Sequence, residues 1–281
     1  MIIKERPVIT WLLDPDRSAE NIVKARLTNK ANEDALNNEL WFLHEIREKR
    51  PDFGLPEMVM PSFENMMVKS APAFDKVRNQ LYHDFGEIGE CGILLYKKDS
   101  TIVYGFGDEK LYLWCFTEVQ GKSVFTFALS AEAFDDYTRI ECNESVLMDD
   151  KLFAGSKDER LEMLLKLANA IFVYVAVKKY AKVETIVIPK GTFTEIDNTP
   201  LQYVDKKKVI NKLGQEVIVM DSKWFRKIIN DNDIRVRGFF RMQNKKNHEG
   251  EWYKELIFVD SFIRRGYHRD AKIEKVRPAC E

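Results

Sequence analysis

The sequence predicts an α+β protein: N-terminal helices, an antiparallel β-meander packed by a long helix, and a smaller β-rich basic C-terminal module. Three observations carry this. Helical periodicity marks the first 85 residues or so, residues 91–129 are dense in β-branched and aromatic residues between short polar turns, and strand patterns return after residue 215.

The elements follow in chain order. In 32–49, Leu36, Leu40, Leu43 and Ile46 recur at spacings of 4, 3 and 3, one face of an amphipathic helix, and Asn32 can cap it. Residues 50–61 hold three prolines and a glycine and read as a connection. The spacing predicts a helix over 70–82, with Ser70 as N-cap, Pro72 in the first turn, and Phe74, Val77 and Leu81 as its buried stripe. Four strands follow at 91–97, 101–106, 110–117 and 122–129, joined by breaks of hairpin length. Along 110–117, Leu111, Leu113 and Cys115 share one face and Tyr112, Trp114 and Phe116 the other; both are apolar, so this strand is expected to be central and covered on both sides.

Ser156 and Glu159 form a capping box before the stripe Leu161, Leu164, Leu165, Ala168, Ile171, Phe172 and Val175, so 156–182 reads as one long helix lying on the meander. Its apolar run, 167–177, is well short of the ~20 residues that span a bilayer. A strand is expected at 183–189. The polar, turn-rich 190–215 reads as a linker between a body (1–189) and a module (216–281). The module is read as a strand 216–221, a short helix capped by Ser222, a strand 233–243, a polar loop and a strand 254–260.

Charge is unevenly spread. Residues 222–281 carry 15 Lys/Arg against nine Asp/Glu, a net of +6; the chain's totals of 44 and 45 then leave −7 on the first 221 residues. A basic module on an acidic body points to an anionic partner. The four cysteines, Cys91, Cys115, Cys142 and Cys280, show no C-x-x-C and no histidine at ligand spacing, so neither zinc nor another cofactor is expected. The N-terminal apolar run is too short for a signal peptide, which predicts a cytoplasmic protein with reduced thiols and no membrane partner.

Motifs for chemistry are sparse, and no catalytic residue is assigned. The G-x-G at 105–107 precedes a strand and reads as a hairpin turn. Asp108-Glu109-Lys110, with Asp99 on the preceding turn, has the local form of a metal-dependent nuclease site, but both aspartates fall in turns. No two of His44, His83, His248 and His268 share a ligand spacing.

The densest signal is 235–271. On its strand Arg235, Arg237, Phe239 and Arg241 share one face, and Val236, Phe240 and Met242 the other. Guanidinium planes grip phosphates or stack on bases, and neighbouring aromatics offer stacking faces. The expected nucleic-acid-binding residues are Arg235, Arg237, Arg241, Gln243, Lys245, Lys246, Arg264, Arg265, His268 and Arg269. A half-buried strand with a solvated cationic face has the same pattern.

Gly238, Phe239, Phe240, Arg241, Gln243, Ile257, Phe262, Arg264 and Gly266 also match a motif. This stretch resembles the C-terminal signature of a broad group of phage, plasmid and other mobile-element proteins: Gly, His or Phe, aromatic, Arg, any residue, Gln, then a loop, an apolar strand and a basic segment with Gly. The usual His is Phe239 here, and the usual Trp gives way to the aliphatic stretch 255–257. The resemblance implies a phage or mobile-element origin rather than an activity. The expected function is nucleic-acid binding through phosphates in the host cytoplasm. The alternatives are a protein-binding inhibitor of a host defence or replication factor, docking through exposed meander aromatics, and a metal-dependent nuclease.

Overall fold

A computed structural model describes residues 2–14, 16–27, 33–49, 53–96, 98–134, 137–143, 147, 149–150, 152–181, 183–191, 193–197, 206–221, 234–236, 239–248, 250–260 and 262–264. The expected caps Asn32 and Ser222, the helix after residue 221 and Cys280 lie outside these residues.

The N-terminal part mixes helices with short strands: β1 (Ile2–Ile3), α1 (Pro7–Leu13), β2 (Ile22–Lys24), α2 (Glu33–Lys49), β3 (Glu57–Val59), α3 (Pro61–Phe74) and α4 (Arg78–Ile88). The helix expected over 70–82 is a join. Pro61 opens α3, and Ser70 is a buried interior residue rather than a cap. Pro72 cannot donate to the turn before it, and α3 gives way two residues later to a 3-10 turn, Asp75–Val77, that leads into α4.

The meander forms as expected: β4 (Cys91–Tyr96), β5 (Ser100–Gly107), β6 (Lys110–Val119) and β7 (Lys122–Ala133) pair antiparallel in sequence. Asp108 and Glu109 take left-handed φ values of 52° and 61° in the β5–β6 turn, the conformation a two-residue hairpin requires. Then come β8 (Thr138–Cys142), α5 (Lys157–Tyr180), β9 (Glu184–Ile188), β10 (Phe193–Asp197), β11 (Lys206–Asn211) and β12 (Val217–Asp221). Among the described residues the large sheet has nine strands in the order β2-β7-β6-β5-β4-β3-β12-β9, with β8 also on β7. β3 runs parallel to both β4 and β12.

The stretch read as a linker carries strands. β10 and β11 form an antiparallel pair, and β1 joins β11 in parallel. Buried Asn211 ties this small sheet to the large one: its Nδ2 donates to Ile188 O (3.0 Å) and Gln215 O (2.9 Å), and its Oδ1 accepts from Leu213 N (2.9 Å). β12, expected in the C-terminal module, belongs to the large sheet between β3 and β9.

Both faces of β6 are covered. On one, Phe42 of α2 lies 5.5 Å from Tyr112, and Trp114 Nε1 donates to Glu39 O at 3.2 Å. On the other, Leu111 and Leu113 are buried beside Phe106 and Tyr104 of β5; Phe106 meets Tyr82 and Phe85 of α4 at 5.4 and 5.1 Å, and Tyr104 meets Tyr174 of α5 at 6.2 Å. Ser156 caps α5 through the expected capping box. The second half of α5 is buried almost all round, from Ile171 to Val177, as a helix enclosed by other elements must be. No helix among the described residues is long and apolar enough to cross a membrane.

Beyond residue 221 the described residues are β13 (Ile234–Val236), β14 (Phe239–Lys246), β15 (Trp252–Val259) and β16 (Phe262–Arg264). Of the strand expected over 233–243, the described residues 234–236 and 239–243 are strand, and the expected polar loop is shorter, because β14 runs on to Lys246 and β15 starts at Trp252.

Candidate functional site

The C-terminal strands make a two-stranded ribbon. β13 pairs with β16 and β14 with β15, both antiparallel and in one continuing register: Val236 faces Phe262, and Phe239 faces Val259. Alternation puts Phe240 and Met242 on one face with Leu256 and Phe258. This face docks on the body: the Phe240 ring lies 4.4 Å from Phe74 of α3 and 4.9 Å from Phe258. The opposite face carries Arg241, Gln243 and Lys245 beside Tyr253, Glu255 and Ile257.

The expected binding residues are distributed along this ribbon. Arg241 is exposed and its Nη2 donates to Gln243 Oε1 at 3.2 Å. Lys245 is ion-paired with Glu255, and that hydrogen bond raises the lysine above its ordinary value. Lys246 sits on the other face, its Nζ 4.9 Å from the centre of the Trp252 ring. Trp252 is 70% exposed and Tyr253 46%, so the hairpin end presents two uncovered aromatics beside cations. The aromatics were the less legible part, because alternation alone does not say where the ribbon leaves the body. Arg235 stands opposite Ile263 and Arg264 opposite Ile234, together at the far end of the ribbon. Arg237, Arg265, His268 and Arg269 lie outside the described residues.

The positive excess is not at the hairpin. Residues 239–260 hold four cations (Arg241, Lys245, Lys246, Lys254) and four carboxylates (Glu249, Glu251, Glu255, Asp260). The surplus of +6 therefore belongs to 222–238 and 261–281, at +3 each.

Two buried polar networks were not anticipated. In the first, Glu57 of β3 accepts from Tyr174 Oη and from Lys178 Nζ (2.8 Å), and Lys178 also approaches Glu90 at 3.8 Å. Burial pushes the Tyr174 and Tyr104 hydroxyls well above the ordinary phenol range, and nearby Glu57 and Glu90 add to the effect. Tyr104 Oη has no hydrogen-bond partner among the described residues. It fits only because residue 92 is glycine, where a Cβ would stand 2.5 Å from that oxygen.

The second network joins α1 to the meander. Buried Arg6 donates to Thr101 Oγ1 at 3.0 Å and Lys98 O at 3.1 Å. Ser123 Oγ accepts from Val8 N (2.9 Å) and donates to Glu118 (2.8 Å). Burial pushes the Glu118 carboxyl from 4.5 to about 7, against the lowering effects of Ser123 and Arg6. An acid whose folded value is raised holds its proton longer in the folded state, so stability falls as pH rises from about 4.5 to about 7. Urea melts across this window should show wild type losing stability relative to Glu118→Gln, by about 2 kcal/mol once solvent screening of this half-buried group is allowed for. Parallel pH profiles would show that the carboxyl ionises as readily folded as unfolded.

The acid-x-Lys reading gathers no carboxylate site. Asp99 pairs with Lys4 (3.2 Å) and Asp108 lies beyond the opposite end of β5. Glu109 meets His83 Nδ1 at 3.1 Å, and Lys110 meets Glu132 and Glu141 at 3.9 and 3.8 Å.

Hollows open on the surface of the described residues. A groove of about 820 Å³ runs between α3 and α5, floored by Leu94, Ile102 and Phe127 and rimmed by exposed Val68, Met163 and Tyr96. A smaller one of about 440 Å³ lies against α2, over Trp11. The meander aromatics expected as a protein-docking face are mostly covered, with Trp114, Phe116 and Phe125 all buried. Compared with protein-family models, curated proteins and solved structures, the chain matches none.

Proposed function

We propose that the chain is a nucleic-acid-binding protein of phage or mobile-element origin, acting in the host cytoplasm, that grips phosphates through its basic C-terminal module. The observation that carries this reading is the hairpin end, where exposed Trp252 and Tyr253 stand beside Lys246, Lys254 and, further along, Arg241. Exposed aromatics next to cations suit base stacking combined with phosphate neutralisation. The surplus charge of 222–238 and 261–281 supplies the long-range attraction. Each neutralised phosphate adds roughly 0.9 to the log–log salt slope on duplex DNA and about 0.7 on single strands. Arg241→Gln with Arg264→Gln should flatten that slope by about two contacts while the fold is kept, read by binding titrations at several salt concentrations. An absence of binding to DNA or RNA at low salt would end this reading.

A second reading, a protein-binding inhibitor of a host factor, is favoured by the α3–α5 groove and its exposed apolar rim at Val68 and Met163. The two separate by salt: phosphate binding weakens steeply as salt rises, whereas an apolar interface does not.

A further inference from the structure

The hollow on α2 has a defined chemistry. Asn37, Leu40, Trp41 and His44 line it from the helix, at spacings that put them on one face, and Ala19 and Ile22 line it from the other side. Trp11 is the floor and is 3% exposed; Trp41 is 63% exposed. The His44 and Trp11 rings lie 5.9 Å apart at 47°. An exposed indole beside a second indole and an imidazole is a stacking site with one ring left uncovered.

Charge decides what stacks there. Arg47, which does not line the hollow, holds its guanidinium 5.2 Å from the centre of the Trp11 ring and is fixed by hydrogen bonds to Trp11 O and Asp14 O, both at 2.9 Å. The Trp11 ring is thus already engaged by a cation, itself paired with Glu48 at 2.8 Å, which sets this hollow apart from the open aromatic cages that hold quaternary ammonium groups. The Asn37 amide brings donors and an acceptor and the His44 ring brings two polar nitrogens, which match the polar edge of a nitrogen heterocycle. A volume of about 440 Å³ admits a nucleoside-sized guest.

We propose that this hollow binds a planar, uncharged nitrogen heterocycle of nucleobase type, stacked on Trp41 and hydrogen-bonded by Asn37 and His44. The proposal stands on α2 and does not rest on the C-terminal ribbon.

Fluorine NMR of the whole chain carrying 5-fluorotryptophan tests it, because the protein has five tryptophans and each reports separately once assigned by substitution. Adenosine and uridine are the probes and choline is the cationic control. A nucleoside at up to millimolar concentration should shift the Trp41 and Trp11 resonances saturably and leave buried Trp114 unmoved. Trp41→Ala should weaken binding at least tenfold, and Tyr137→Ala, at an exposed aromatic outside the hollow, should leave it unchanged. The proposal is overturned if neither nucleoside shifts Trp41, if choline does so equally well, or if affinity survives Trp41→Ala. An oligonucleotide that fails to bind while adenosine still shifts Trp41 would remove the ribbon's role and leave this site standing.

Discussion

Replacing Phe172 by Ala should cost about 3–5 kcal/mol of stability. The ring is fully buried, 5.1 Å from Tyr82 and 6.3 Å from Phe85, and the Arg78 guanidinium lies 5.9 Å from its centre. Its ring neighbours are stiff aromatics on α4, so they cannot collapse into the space. Both the transfer energy and the cavity are then lost together. Urea denaturation followed by circular dichroism reads the effect as a lower midpoint at unchanged slope. A loss below about 1 kcal/mol would mean that α4 and α5 are not packed through this ring.

The second large effect is expected at Lys178. Its partner Glu57 has a side chain only 7% exposed, against 29% for Lys178. Lys178→Met leaves that carboxylate with the Tyr174 hydroxyl as its remaining close donor among the described residues, and breaking a buried pair on one side costs about 3 kcal/mol. Glu57→Gln combined with Lys178→Met should recover most of the loss, because a neutral amide can still accept from Tyr174. A double-mutant cycle by urea melting measures the coupling. Additive single effects would show that the two charges are solvated apart rather than paired.

Much of the architecture was legible where local rules govern. The capping box at Ser156 and Glu159, the hairpin break before Lys110, and the two apolar faces of 110–117 each state their structure within a few residues. The start of α3 was not legible, because Met60 gives its helix no side-chain cap while Ser70 and Pro72 imitate one. β10 and β11 escaped because their sequences are polar; the apolar contribution of β11 narrows to residues such as Val209. The placement of β12 next to β3 is set by packing between distant segments, which periodicity does not encode. At the ribbon, sequence showed which residues are charged and which face Phe240 takes, but it could not show that Lys245 pairs across the strands with Glu255. The Glu57–Tyr174–Lys178 network was invisible because its members lie on β3 and α5, more than a hundred residues apart.

The position of β3 between β4 and β12 sets an order of assembly. As the chain leaves the ribosome, the meander hairpins need only their own neighbours and can zip at once. The outer edge of β3 must wait for residues 217–221, and β1 must wait for Ile210 and Asn211. Closing a loop of that length costs more chain entropy than closing any hairpin of the meander, so the β3–β12 pairing is expected to form late. Until then the partly made sheet ends in unpaired backbone donors and acceptors beside Met58, an open template for a foreign strand. Nascent chains that stop short of Val217 would carry that edge, and it is there that a chaperone has most to shield.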